Sequence, residues 1–133
     1  MQIRVLYVDD EPDLREIAVM SLELDQEFEV RECSNGVDAL AFASEWQPHI
    51  VLLDVMMTPI DGPETARRLR AEPQTEDIPF VFITARARSG DIEDLMNAGA
   101  CGVISKPFDP LTLAQAVRSL IDDCDDRGQP SDR

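Results

Sequence analysis

The run Ile50-Val51-Leu52-Leu53 is closed by a single carboxylate, Asp54. Four apolar side chains in succession leave no polar face. A strand here must be covered on both sides, which is the condition of an interior strand in a parallel sheet. Asp54 then stands at the C-terminal edge, where open α/β sheets bind ligands. Asp61, Gly62 and Pro63 follow closely. The Gly-Pro pair supplies a turn and a first helical residue, so the loop carrying Asp54 is short and held at both ends.

The same pattern recurs along the chain. Ile3 to Val8 is mostly apolar and ends in Asp9-Asp10-Glu11, with Pro12 suited to the first turn of a helix. Leu14, Ile17, Ala18, Ser21 and Leu22 fall at helical spacing on one side, predicting an amphipathic covering helix that ends near Asp25. Phe28 to Cys33 alternates apolar with charged residues, as a half-exposed edge strand does. Ser34-Asn35-Gly36 turns the chain, and Val37, Leu40 and Ala41 mark a short helix to about Trp46. Trp46 and the lone His49 read as packing residues, since neither has a second ligand or base nearby.

Beyond Asp54, Ala66 and Leu69 share one helical face and Arg67, Arg68 and Arg70 the other. Phe80-Val81-Phe82-Ile83 is a second unbroken apolar run and ends in Thr84-Ala85. A thinner stripe of Ile92, Leu95 and Met96 predicts a weakly anchored helix closed by Gly99. Gly102-Val103-Ile104-Ser105 is a short strand ending in Lys106-Pro107-Phe108. Asp109-Pro110 should cap a last helix with Leu113, Ala114, Val117, Leu120 and Ile121 inward.

With 133 residues and 44% hydrophobic content, there is material for one core and not two. The expectation is a single domain over residues 1–121, followed by an acidic tail, 122–133, that need not fold. No stretch reaches the roughly 18 apolar residues of a membrane span, and no signal region opens the chain, so a cytoplasmic protein without membrane insertion is expected. Cys33, Cys101 and Cys124 are odd in number and lack both CxxC spacing and neighbouring histidines, which predicts reduced, structural thiols. A formal charge of −15 opposes a nucleic-acid partner, because such binding depends on Lys and Arg displacing counterions.

Strands alternating with helices require right-handed crossovers and one parallel sheet with helices on both faces. All C-terminal strand ends then share an edge, so Asp9, Asp10, Asp54, Thr84 and Lys106 converge from four strands. Three carboxylates crowded together repel, and a hard divalent cation is the usual compensation. Magnesium fits better than zinc, since no His or Cys is present to bind the softer metal. A cation, an ammonium and a hydroxyl together clamp the oxygens of a transferring phosphoryl group, with Asp54 as in-line nucleophile.

Asp9-Asp10, Asp54 followed by Asp61-Gly62, Thr84-Ala85 and Lys106-Pro107-Phe108 resemble the receiver domain of bacterial two-component response regulators, over about residues 3–121. The resemblance implies a flavodoxin-like (βα)5 fold with a doubly wound parallel sheet in strand order 2-1-3-4-5. It also implies that Asp54 takes a phosphoryl group from a histidine kinase or histidine phosphotransfer protein, and that Asp9, Asp10 and Asp54 bind Mg2+ with the Met56 carbonyl. A cis Lys106-Pro107 peptide is implied as well. In two places the chain departs from the common pattern. Pro59 stands one position later than in many receivers, where Thr58 lies, and Val103 replaces an aromatic residue that swings inward on activation.

Three functions are compatible with these residues. The first is a stand-alone switch or relay that signals by partner binding, its target unknown and its catalysis confined to its own phosphorylation and dephosphorylation. The second is a hydrolase with an aspartyl-phosphate intermediate. Haloacid-dehalogenase-type phosphatases, however, need a DxD pattern, and two residues past Asp54 stands Met56, which cannot act as an acid. The third is a docking module, against which the intact polar set argues.

Overall fold

Ile50 to Leu53 and Phe80 to Ile83 are buried on both faces, and the strands that contain them, β3 (Ile50–Asp54) and β4 (Phe80–Thr84), form the middle of the sheet. With β1 (Ile3–Val8), β2 (Phe28–Cys33) and β5 (Gly102–Ser105), they make one parallel sheet in the order β2-β1-β3-β4-β5. The structure is a computed structural model that describes residues 2–86 and 88–128, the side chains of 125–128 excepted. The order is the one the resemblance implies, and the fold is flavodoxin-like.

The period-two alternation of the strands divides the core. Val5, Tyr7, Ile50, Leu52, Val81, Ile83 and Ile104 face α1 (Pro12–Leu22) and α5 (Leu113–Gly128), meeting Ala18, Leu22, Leu113 and Val117. Leu6, Val8, Val51, Leu53, Phe80 and Phe82 face α2 (Gly36–Trp46), α3 (Gly62–Ala71) and α4 (Ser89–Asn97), meeting Ala39, Ala43, Ala66, Leu69 and Leu95. No helix among the described residues is long and apolar enough to cross a membrane. β2 is an outer strand carrying Glu29, Arg31 and Glu32, with Glu29 and Arg31 paired at 3.2 Å.

Several expectations are corrected. In α1, Ile17 is 45% exposed and Val19 packs inward instead. The two lie on opposite flanks of Ala18, each about 100° round the helix, and the sheet's approach decides which is covered. In α2, Val37 and Ala41 face solvent, and Gly36, Ala39 and Ala43 are buried: small residues let this helix lie close on the sheet. Trp46 does pack, against Phe42 and beneath the guanidinium groups of Arg4 and Arg31. His49 does not; its ring is exposed and its Nδ1 accepts the Arg4 backbone N–H at 2.8 Å, closing the start of the β1–β3 pair.

Helix α5 runs on to Gly128, so residues 122–128 are helical and not an unfolded tail; residues 129–133 lie outside the described set. The reason is Cys124, 3% exposed, which carries the inward stripe of Val117 and Ile121 on by one turn, past Asp122 and Asp123. Asp109 caps the turn that precedes α5, its Oδ1 accepting the Leu111 N–H at 2.9 Å, and not the helix itself. The cysteines are not all reduced: Cys101, before β5, is disulfide-bonded to Cys124 with Cα atoms 5.4 Å apart, leaving Cys33 free. Proximity across a helix–strand pair, at a sequence separation of 23, has no signature in local spacing. At the same end of the molecule, Arg118 ties α5 to Asp25 at 2.8 Å and Glu27 at 2.7 Å.

Candidate functional site

Asp9, Asp54 and Lys106 continue the alternation that turns Tyr7, Leu52 and Ile104 toward α1 and α5, so all three side chains lean to the same side of the sheet edge. One carboxylate oxygen each from Asp9, Asp10 and Asp54 lies within 4.8 Å of the others. Asp9 is fully buried, Asp54 is 5% exposed, and Asp10 faces outward. Lys106 Nζ stands 3.0 Å from Asp54 Oδ1 and 3.5 Å from Asp9 Oδ2.

The site is held from beneath. Tyr7, fully buried on β1, donates its hydroxyl to Asp9 Oδ2 at 3.1 Å, and the Glu11 N–H donates to Asp9 Oδ1 at 2.9 Å. Arg15 Nη1 reaches back from α1 to the Asp9 carbonyl at 2.8 Å. Sequence reasoning passed over Tyr7, whose place two residues before Asp9 on one strand face was the available signal.

Asp54 is fixed by its neighbours on both sides. The Val55 N–H donates to Ile83 O at 3.0 Å, and the Gly62 N–H donates back to Val55 O at 2.9 Å. Asp61 caps α3 through the Glu64 N–H at 2.9 Å. Gly62 seats this helix against the acceptor loop: a Cβ there would meet Asp54 O at 2.5 Å and Val55 Cα at 2.9 Å, both backbone atoms that cannot swing aside. Gly62→Ala should therefore displace the end of β3, with a stability loss of about 1–3 kcal/mol in urea unfolding. An unchanged midpoint would show that this contact is not tight.

Burial pushes the Asp54 carboxyl up to about 6, opposed by the Lys106 ammonium and reinforced by the Asp9 charge. Burial pulls Lys106 down, but the two carboxylates outweigh it and hold the ammonium above its usual range. Tyr7 is pushed well above the ordinary phenol range by burial and by Asp9, so its hydroxyl remains a donor.

One expected member stands apart. Thr84 is at the right edge and is 5% exposed, but it has the opposite strand parity, and its Oγ1 accepts the Arg86 N–H at 2.9 Å. Its carbonyl accepts the Lys106 N–H at 2.8 Å, which links the two strand ends. Met56, whose carbonyl is the expected contributor, lies in the loop after β3 and is 79% exposed. Both Lys106-Pro107 and Thr58-Pro59 are cis, the second not foreseen. Val103 packs on the α2–α3–α4 side of the sheet.

The donor set fits a hard divalent cation: three carboxylate oxygens lie within reach of one another, and the one ammonium beside them pairs with two of the three carboxylates, Asp54 and Asp9. Chemically, the arrangement offers a buried carboxylate that could act as a nucleophile, with an ammonium 3.0 Å from one of its oxygens.

Residues 5–118 match the response regulator receiver domain. The chain is 36% identical over 119 residues to response regulator Rre1 of Synechocystis, covering 90% of this chain and 52% of that protein. It is 40% identical over 122 residues to response regulator PleD of Caulobacter vibrioides, covering 90% of this chain and 26% of that protein. It thus spans about half or less of the length of these relatives. Among solved structures, chemotaxis response regulator CheY4 of Vibrio cholerae superposes with a TM-score of 0.83 at 28% identity, covering 90% of this chain and 99% of that one.

Proposed function

We propose, since the chain belongs to the response regulator receiver domain family, that Asp54 accepts a phosphoryl group from the phosphohistidine of a histidine kinase or histidine phosphotransfer protein and that the product signals by altered partner binding. An Asp54 oxygen attacks phosphorus, the P–N bond breaks in line, and the leaving imidazole takes up a proton. The observation that carries this reading is Lys106 Nζ at 3.0 Å from Asp54 beside a three-carboxylate cluster. Asp9, Asp10 and Asp54, with the Met56 carbonyl, would hold Mg2+. When bound, that ion screens the carboxylates and binds phosphoryl oxygens.

The residues of the chain divide the remaining work. Lys106 exchanges its contact with Asp54 for one with a phosphoryl oxygen, keeping its charge compensated in both states. Thr84 must release the Arg86 N–H and turn toward Asp54 to donate to the phosphoryl group. That bond exists in one state only, which is the differential interaction a population shift needs. With Val103 in place of a ring, the motion passes mainly through the segment that follows Thr84 and through α4, where Leu95 is the buried apolar anchor.

Incubation with acetyl phosphate and Mg2+ should add one phosphoryl group per chain by intact mass, mapped to Asp54. Sustained turnover of phosphate esters would favour the hydrolase reading, and no increment would overturn the proposal. Lys106→Ala should keep the fold, with a far-ultraviolet spectrum like that of the parent, but lose most of the phosphorylation-dependent change in hydrogen exchange. Global unfolding of that variant would make Lys106 a structural ion-pair partner and nothing more.

A further inference from the structure

We propose that the Cys101–Cys124 pair is a reversible thiol–disulfide exchange site, entered at Cys101, that clamps or frees the C-terminal turns of α5. Several observations at the end of the sheet opposite Asp54 support it. Cys101 and Cys124 line an open groove of about 290 Å³ together with Arg70, Glu76, Asp77 and Gly99. Cys124 is 3% exposed in the α1–α5 half of the core, whereas Cys101 is only partly buried. An incoming sulfur therefore meets Cys101 first. The groove carries two carboxylates against one guanidinium, so it does not gather the positive charge that turns a thiol into a standing thiolate. That favours exchange with a dithiol–disulfide couple over direct oxidation.

The step balances as follows. A thiolate of a dithiol reductant attacks Cys101 Sγ, a mixed disulfide forms, and the Cys101–Cys124 bond breaks with its electron pair leaving on Cys124, which takes a proton. The reductant's second thiol then displaces Cys101 as a thiol, and the reductant ends as a disulfide. Two electrons and two protons reach the protein, and a small-molecule disulfide reverses both steps. Cys33 cannot interfere. It lies at the end of β2, on the far edge of the sheet from β5, and burial pushes its thiol up to about 11, helped by the Asp38 charge.

The bond joins the residue entering β5 to the last turns of α5. Upstream, the helix is pinned by Leu113, Val117 and the Arg118 ion pairs with Asp25 and Glu27. From Ile121 onward its composition is acidic, and Cys124 is its one buried side chain among those described. Reduction removes the covalent tether and leaves this stretch held by the small side chain of Cys124 and the partly buried Ile121. The domain should stay folded while those turns fray.

The full chain, treated with glutathione disulfide or with dithiothreitol and quenched with maleimide in denaturant, should carry one label when oxidised and three when reduced. Three labels after oxidation, or a bond that includes Cys33, would overturn the proposal. Brief exposure to glutathione, trapped with acid, should place the adduct on Cys101; an adduct on Cys124 would overturn the order of attack. The reduced chain should melt about 10 °C lower, with faster hydrogen exchange concentrated in residues 121–128. Cys101→Ser should behave like the reduced chain in both buffers, and Cys33→Ser like the parent. Identical melting and exchange in the two buffers would show that the bond clamps nothing.

Discussion

Asp54→Asn is expected to take up no phosphoryl group from acetyl phosphate and, without metal, to melt higher than the parent at neutral pH. The first result follows from chemistry: the amide oxygen is a poor nucleophile, and the other carboxylates of the cluster would be engaged by the cation. An undiminished mass increment in the variant would remove Asp54 from its role. The second follows from burial. Asp54 ionises near pH 6 in the folded chain against an ordinary value of 3.8, raised by desolvation and the Asp9 charge in spite of Lys106. The folded state therefore holds its proton more tightly than the unfolded state, and stability falls as pH rises from about 4 through 6. The asparagine escapes this loss. In chelator the two proteins should melt together near pH 4 and separate above pH 6, by on the order of 2 kcal/mol. A parent that is the more stable at pH 7 would show that the Lys106 pairing outweighs burial and repulsion.

Withdrawing Mg2+ should slow phosphorylation on the order of a hundredfold, because an anionic donor must otherwise approach three carboxylates with one ammonium to offset them. Asp10→Asn should lie between these limits. Asp10 is the exposed member of the cluster, so its loss weakens cation binding and disturbs the core least. Titration of thermal stability with Mg2+ gives an independent readout: the parent should gain about 2.7 kcal/mol at a concentration one hundred times Kd. Asp10→Asn should need more cation for the same gain. Equal labelling in chelator and in Mg2+ would contradict the metal assignment.

The central strands and the edge chemistry were legible because burial on both faces leaves a plain mark. A run such as Ile50 to Leu53 has few places to go, and a carboxylate at its end has only one edge to emerge from. Asp9, Asp10, Asp54 and Lys106 meet in the structure as topology requires. Thr84 was placed at the right edge, but its local partner was not, since strand parity and a backbone N–H two residues away decide where the hydroxyl points. Helix faces were less legible. Small buried residues such as Ala39 and Ala43 carry no more hydrophobic signal than an exposed alanine, and flanking positions such as Ile17 depend on how the helix is laid down. The length of α5 was hidden by Asp122 and Asp123, whose charge outweighs the single buried Cys124. The disulfide depends on that extra turn and so could not be read from spacing.

The charged outer strand β2 also governs how copies of the molecule behave when crowded. Its free backbone N–H and C=O groups are a template on which another sheet could grow. Any strand docking there would have to strip water from Glu29, Arg31 and Glu32 and to approach a body bearing a formal charge of −15. At the opposite margin β5 has four residues, too short a rail to start a fibre. The sheet should therefore remain finite in concentrated solution at neutral pH. Replacing Glu29 and Arg31 with valine is the change that would turn a soluble edge into an adhesive one.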